Sequence, residues 1–402
     1  MPQNVSRPPG RHFLQIPGPT PVPDRVLRAI DMPLIDQRGP EFSKLGKRVL
    51  EGIKTIFKTT QPVIIYTATG TGAWEAALSN TLSPGDRVLM VETGQFATLW
   101  KVMAERLGLK PEFIKTDWRV GADPKVIEEH LRKDKAQEIK AVCVVHSETA
   151  TGCMSSIAEI RKAIDAAGHP ALLLVDTISS LASTDYRHDE WGVDVSIGGA
   201  QKGLMLPPGM SFNAVSEKAL RASKTAKLPR SFFQWDDMLT MYKNGYFPYT
   251  PATQMLYGLD TSITMLHEEG LDNVFARHDR LAEATRRAVR AWGLEILCRD
   301  RRIEKTHDGR DRASRRPTRQ VGIRRRRRFF LRRHSAGGHS QPLPAAGAGT
   351  AGISEFRAVV CGDSRAACLQ GSGRRGEAGV TGHSGAERSE EPGIHIHKRR
   401  GY

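Results

Sequence analysis

Five short β-rich apolar runs, at residues 63–66, 88–91, 141–145, 172–175 and 193–197, most constrain what this 402-residue chain can fold into. Helix-like segments lie between or beside them, at 73–79, 98–107, 124–132 and 157–167. Runs that are apolar on both strand faces and alternate with helices predict an α/β fold, a mostly parallel sheet sandwiched by helices. In such sheets ligands collect at the carboxyl ends of the strands. Beyond Pro251 a long helical pattern passes through Leu256, Leu259, Ile263 and Leu266 toward Trp292, positioned to cross from a large domain into a smaller C-terminal one. Residues 16–23, Ile-Pro-Gly-Pro-Thr-Pro-Val-Pro, are too proline-rich for a helix or a central strand and predict an extended segment laid over the surface.

The net charge of +16 resembles a nucleic-acid signal until it is mapped. Residues 299–402 hold 24 of the 60 Lys and Arg but only 10 of the 44 Asp and Glu, which leaves 36 basic and 34 acidic side chains in the first 298 residues. That near-neutral body has the composition of a globular metabolic enzyme, and no nucleic-acid partner is expected for it. Cys143, Cys153, Cys298, Cys361 and Cys368 are odd in number and lack CxxC spacing, so neither a disulfide framework nor a metal site is expected, and a reducing cytoplasm fits. The first ten residues carry no apolar signal core, and no apolar stretch approaches the roughly 20 residues that span a bilayer.

Asp176 closes the run Ala-Leu-Leu-Leu-Val-Asp, and Lys202 follows 26 positions later within Ser-Ile-Gly-Gly-Ala-Gln-Lys-Gly. An isolated strand-end Asp is more often a cap, and an isolated Lys is more often solvated. Together they supply two groups that a pyridoxal phosphate (PLP) site needs, a partner for the pyridinium nitrogen and an amine for the Schiff base. The small residues around Lys202 suit a partly buried amine whose pKa falls. Such an amine can hold the cofactor and, once displaced by substrate, carry the α-proton. Thr67-Ala-Thr-Gly-Thr-Gly-Ala-Trp-Glu75 follows a strand and opens a helix, so the N–H groups of Thr69, Gly70 and Thr71 can point at a phosphate. Gly-Thr turns before helices are common, and this one draws its weight from Asp176 and Lys202.

These residues resemble the class V, fold-type I PLP enzymes, and within them the alanine–glyoxylate and serine–glyoxylate aminotransferases, the bacterial serine–glyoxylate enzymes most of all. The likeness runs from about Pro17 to Cys298 and is carried by Pro-Gly-Pro-Thr20, Thr-Gly-Thr-Gly-Ala-Trp-Glu75, Gly-Gln-Phe96, His-Ser-Glu-Thr-Ala-Thr-Gly152, Leu-Val-Asp176, Gln-Lys-Gly-Leu-Met-Leu-Pro-Pro-Gly209 and Gly-Tyr-Phe-Pro-Tyr-Thr250. It implies transfer of an amino group from L-serine, or alternatively alanine, to glyoxylate, as in one-carbon or glyoxylate metabolism. It also implies that Lys202 forms the Schiff base, Asp176 pairs with the ring nitrogen and Phe96 stacks on the ring. Thr151 would lie near the ring's oxygen side, with Gln201, Thr69, Gly70 and Thr71 around the phosphate. Thr250 would reach the phosphate of a second subunit, so a homodimer with shared active sites is expected. Phe247 stands where some relatives have a tyrosine, and Tyr246 or Tyr249 are its candidate replacements. His146 reads as a satisfied strand-end histidine, because Phe96 occupies the stacking position where related desulfurases use histidine.

The chain therefore divides into an extended segment (1–24), a large PLP-binding domain (25–260), the start of a small domain (261–298) and an Arg- and Gly-rich tail (299–402). The tail, with Arg324-Arg-Arg-Arg-Arg328, lacks the Phe-Arg-Ile-Gly-His motif whose arginine clamps the substrate carboxylate in the family. Two readings compete for it: a disordered basic appendage for a polyanion, or an out-of-frame translation beginning near Cys298. The abrupt change of composition and the loss of every family motif favour the second.

Overall fold

A computed structural model describes residue 14 and residues 16–298 of the chain. Both readings of the tail (299–402) fall outside those residues.

The first helices are α1 (Asp24–Ile30) and α2 (Pro40–Phe57). Phe42, Leu45, Val49, Leu50, Ile53, Ile56 and Phe57 make one apolar stripe of α2, and all are buried. Pro40 opens that helix at a position where a missing N–H costs nothing. The alternating region then runs β1 (Val63–Tyr66), α3 (Gly70–Thr81), β2 (Arg87–Val91), α4 (Gln95–Arg106), β3 (Lys110–Ile114), α5 (Pro124–Lys133), β4 (Ile139–Val145), α6 (Ile157–Ala166), β5 (Leu172–Asp176), β6 (Val195–Gly199) and β7 (Ser211–Val215). Four helices complete it: α7 (Glu217–Ser223), α8 (Trp235–Tyr242), α9 (Thr253–Glu269) and α10 (Leu271–Ala291).

The strands form one sheet of order β1-β7-β6-β5-β4-β2-β3, in which β7 alone runs antiparallel to its neighbours. The apolar runs are explained by burial on both faces. Val63 and Ile65 of β1 and Leu173 and Val175 of β5 enter one core layer, while Ile64, Tyr66, Leu172 and Leu174 enter the other. The mostly parallel α/β sheet expected from the sequence is present, with Asp176 at the carboxyl end of β5.

Two strands escaped the pattern. Strand β3 contains Pro111 and is tolerated because it is an edge that pairs only with β2. Strand β7, Ser-Phe-Asn-Ala-Val, is wholly buried, and its Asn213 is satisfied by accepting from Tyr66 Oη at 3.0 Å and donating to the Ala73 carbonyl at 3.2 Å. The long helical pattern after Pro251 proves to be two helices. Gly270, at φ +82°, separates α9 from α10, and Arg277 reaches back across the break to Glu269 with Nε at 2.7 Å and Nη2 at 2.9 Å. Among the described residues, no helix is long and apolar enough to cross a membrane.

Residues 16–23 carry no helix or strand, as their prolines require. The Thr20 N–H donates to the Gln201 carbonyl at 2.9 Å, which ties this segment to the loop after β6.

Candidate active site

Parallel strands bring their carboxyl ends to one edge of the sheet, so residues far apart in sequence converge there. Thr69, Gly70, Thr71, Phe96, Asp176, Gln201 and Lys202 line one cavity of about 250 Å³. The structure thus assembles seven of the nine residues singled out above.

Asp176 is 4 % exposed. Its Oδ1 accepts from the Ile178 N–H at 2.7 Å and its Oδ2 from the Trp74 indole N–H at 2.9 Å. Burial pushes the carboxyl up to about 7 against the pull of those two donors; the Glu148 charge adds to the rise and the Lys202 charge opposes it. Lys202 is half-buried, and burial lowers its pKa while Asp176 opposes that shift. Its Nζ donates to the Pro17 carbonyl at 2.7 Å. Gly18 permits this contact: its φ is +132°, and a Cβ there would lie 2.5 Å from Lys202 Nζ.

Thr69 caps α3 with extended backbone, and the Gly72 and Ala73 N–H groups turn back onto its carbonyl at 2.9 and 3.3 Å. The Gly70 and Thr71 N–H groups belong to the first turn, where a helix has no acceptor of its own to offer. Gly70 is pressed close to the loop after β5, since a Cβ on it would lie 2.3 Å from Ile178 Cδ1. Beside them, the buried Gln201 Oε1 has no hydrogen-bond partner. In an amide, oxygen and nitrogen are assigned by their surroundings, so this position serves equally as a donor to an anion.

Phe96, the second residue of α4, meets Trp74 edge-on at 6.4 Å, and Trp74 stacks on Trp100 at 5.8 Å. Glu148 holds the start of α4. Fully buried, it accepts from the Phe96 and Ala97 N–H groups at 3.2 Å each and from the Ala150 N–H at 3.1 Å.

Two of the nine residues stand apart. Thr151 is not on the cavity wall: its hydroxyl donates to the Thr93 carbonyl at 3.3 Å and accepts from the Cys153 N–H at 3.2 Å. Thr149 takes the wall position instead, with Oγ1 at 2.6 Å from Ser179 Oγ. The turn explains the difference, because the Thr151 and Gly152 N–H groups both fold onto the Glu148 carbonyl and carry Thr151 around behind it. Thr250 is exposed and away from this cavity, near Gln37 Nε2 at 3.5 Å. Phe247 and Tyr246 pack on Phe42 at 5.9 and 6.5 Å, and Tyr249 is exposed with its hydroxyl donating to the Ser231 carbonyl at 3.3 Å. His146 is a buried strand-end residue, its Nδ1 2.8 Å from Ser180 Oγ and its ring against Tyr186 and Trp191.

Gly18, Trp74, Glu148 and Thr149 are the residues that motif reasoning passed over. For Trp74 a signal existed: it lies four residues after Gly70, hence on the same helix face.

A buried carboxylate, a desolvated amine and a helix start with an unpartnered buried amide oxygen meet at one cavity. They match the ring nitrogen, the aldehyde and the phosphate of PLP, so the residues present fit that cofactor.

The chain matches the model of the class-V aminotransferase family over residues 12–304. It is 52 % identical over 301 residues to a serine–glyoxylate aminotransferase of Methylorubrum extorquens, covering 73 % of this chain and 75 % of that one. It is 50 % identical over 282 residues to an L-aspartate–glyoxylate aminotransferase of Paracoccus denitrificans, covering 70 % and 71 %. Among solved structures it resembles an alanine–glyoxylate aminotransferase of Nostoc sp., with 27 % identity, a TM-score of 0.65 and coverage of 73 % and 78 %. With a β5 acid, a lysine after β6 and a match over most of its length, the chain belongs to the PLP-dependent class-V aminotransferases.

Proposed function

We propose that this protein transfers the amino group of L-serine to glyoxylate, giving hydroxypyruvate and glycine. The observation that carries this reading is the convergence of Lys202, Asp176, Phe96, Gln201 and the start of α3 on one cavity, in a chain half identical to serine–glyoxylate aminotransferases.

When bound, PLP supplies an electron sink for the negative charge that develops at the substrate Cα as its proton leaves. The protein's own groups do the rest. Lys202 would hold the cofactor through Nζ, and as a free amine its Nζ would take the α-proton; burial lowers its pKa toward the working range of a general base. The Asp176 carboxylate keeps a positive charge on the ring nitrogen. Phe96 would cover one ring face, and the N–H groups of Gly70 and Thr71, the Thr69 hydroxyl and the Gln201 amide would hold the phosphate. Thr250, exposed on its own protomer, reaches the phosphate of a partner subunit, so the active form is a homodimer with shared sites.

The donor is argued from the wall. Ser147, Thr149 and Ser179 offer hydroxyls that suit the serine side chain. Among the described residues of the wall, Lys202 is the one cation. The aspartate reading keeps one supporting observation, the near-equal identity to the Paracoccus enzyme.

The test is a pair of half-reactions on the PLP-loaded chain. L-Serine should abolish the cofactor's visible absorbance and glyoxylate should restore it, with hydroxypyruvate and glycine formed in equal amounts. Bleaching by L-aspartate or L-alanine but not by L-serine would replace the donor. A visible band that persists or returns without glyoxylate while serine is consumed, with ammonia released, would indicate a lyase.

A further inference from the structure

The indole of Trp74 is 3 % exposed and has no part in the chemistry assigned above. Its Nε1–H donates to Asp176 Oδ2 at 2.9 Å, while the backbone N–H of Ile178 holds Oδ1 at 2.7 Å. These donors differ in kind. The Ile178 amide is present whatever residue stands there, whereas the indole is the one side-chain donor to the Asp176 carboxylate among the described residues. An indole N–H donates and never accepts. It therefore favours a bare carboxylate oxygen over a protonated one, whose own hydrogen would compete for the same space. The ring cannot turn aside, because it stacks on Trp100 at 5.8 Å and 15° and meets Phe96 at 6.4 Å and 68°. One side chain thus braces both the acid proposed to meet the ring nitrogen and the aromatic proposed to cover the ring face.

We propose that Trp74 is a positioning residue: its indole N–H holds Asp176 as an oriented anion, so that the proton shared with the cofactor's ring nitrogen stays on nitrogen. This rests on the reading of Asp176 as the ring-nitrogen partner. Other charged or titratable groups face Asp176 from each neighbouring element. Glu148, from the loop after β4, disfavours the anion and Lys202, after β6, favours it. Tyr186, from the loop after β5, feels the Asp176 charge, and His146, following β4, donates its backbone N–H to the Asp176 carbonyl. In the described structure none of the four donates to the carboxylate oxygens, so the indole's effect is separable from theirs.

The experiment uses the full chain stripped of cofactor and reloaded with PLP across a pH series, with the dissociation constant read from the visible band. Three variants are compared with the parent: Trp74→Phe, Asp176→Asn and the double variant. In the parent, affinity falls as pH drops through the Asp176 titration. Trp74→Phe keeps the aromatic contact but removes the donor. It should move the midpoint up by about one to two pH units, so that below both midpoints binding is about tenfold to a hundredfold weaker than in the parent, the effect of one charge-assisted hydrogen bond. In the Asp176→Asn background the same change should alter affinity by less than about threefold, since the partner is gone. An unmoved midpoint in Trp74→Phe, with Asp176→Asn still abolishing the transition, overturns the inference and leaves the reading of Asp176 standing. An Asp176→Asn chain with parental affinity and pH profile overturns both.

A second measurement needs no change at position 74. In the apo chain labelled with ¹⁵N-tryptophan, one indole N–H resonance should titrate over the same pH range as cofactor affinity and stop titrating in Asp176→Asn. If no indole resonance titrates there, the inference fails even where Trp74→Phe does not fold.

Discussion

The apo protein holds an acid in a place that burial makes costly, and replacing it should change how stability depends on pH. Asp176 is raised from an ordinary carboxyl pKa to about 7, mainly by burial. A group whose folded pKa lies above its unfolded one adds stability that is complete below the unfolded value, about pH 4, and is lost as pH rises through the folded value near 7. Three pH units correspond to about 4 kcal/mol over the whole range, and about 2 kcal/mol of it falls between pH 5.5 and 8. Asp176→Asn cannot ionise and escapes that loss. Its amide cannot satisfy both the Ile178 and the Trp74 donor, which adds a pH-independent cost of about 1 to 3 kcal/mol. The slope is therefore the test and the absolute difference is not. Urea unfolding of the two apo proteins at pH 5.5 and pH 8 should show the stability of Asp176→Asn relative to the parent rising by about 2 kcal/mol across the interval. Groups titrating in both chains cancel in that difference. A difference flat to within about 0.5 kcal/mol would refute the argument that burial controls this carboxyl.

Gly18→Ala forces a Cβ onto Lys202 at a φ of +132°, so the amine should leave the Pro17 carbonyl. The kcat/KM is expected to fall about tenfold to a hundredfold, with some loss of thermal midpoint from the strained backbone, and parental kinetics would count against this role for Gly18. Glu148→Gln removes the charge that meets the start of α4 and turns an NH₂ group toward backbone donors, which should cost about 2 to 4 kcal/mol in urea unfolding. A loss under about 0.5 kcal/mol would show that the three N–H groups find other acceptors. The family match ends at residue 304, close to where the sequence changes character. Peptide mass mapping of the natural protein beyond Cys298 is therefore expected to return another reading frame with a Phe-Arg-Ile-Gly-His-like segment, and peptides matching 299–402 as written would refute that. A chain verified by mass to carry that tail should bind PLP yet transaminate poorly, a result that ordinary turnover of serine and glyoxylate would contradict.

The central sheet was legible because a parallel strand buried on both faces has no polar alternation to hide it. Strands β1, β2, β4 and β5 announced themselves as runs rich in Val, Ile, Leu or Met, while β6, expected at 193–197, runs over Val195–Gly199 and ends in two glycines. Strands β3 and β7 were not legible, for opposite reasons. An edge strand can keep Lys110, Pro111 and Glu112 because one side of its ladder is free. A buried strand can keep Asn213 when tertiary partners such as Tyr66 and Ala73 satisfy the amide, and those partners lie about 140 residues away in sequence. The helix break at Gly270 was missed because the apolar period resumes in almost the same phase after it.

The same distinction between local and distant causes decides what could be read of the site. Thr69 to Thr71 and Gln201 with Lys202 are short segments whose chemistry follows from a strand ending where a turn or helix begins. Thr149 and Thr151 differ only in which side of one turn they occupy. That is settled by the Glu148 carbonyl gathering the N–H groups of Thr151 and Gly152, with Gly152 at φ +73°. No composition rule reports such a choice. Trp74 and Asp176 are 102 positions apart, and each alone reads as ordinary, an aromatic on a buried helix and an acid at a strand end. Only the packing of α3 against the sheet shows that the donor is aimed at the acid. A conservative change at position 74 would therefore look harmless in sequence, while the carboxylate beneath it lost the group that keeps it charged.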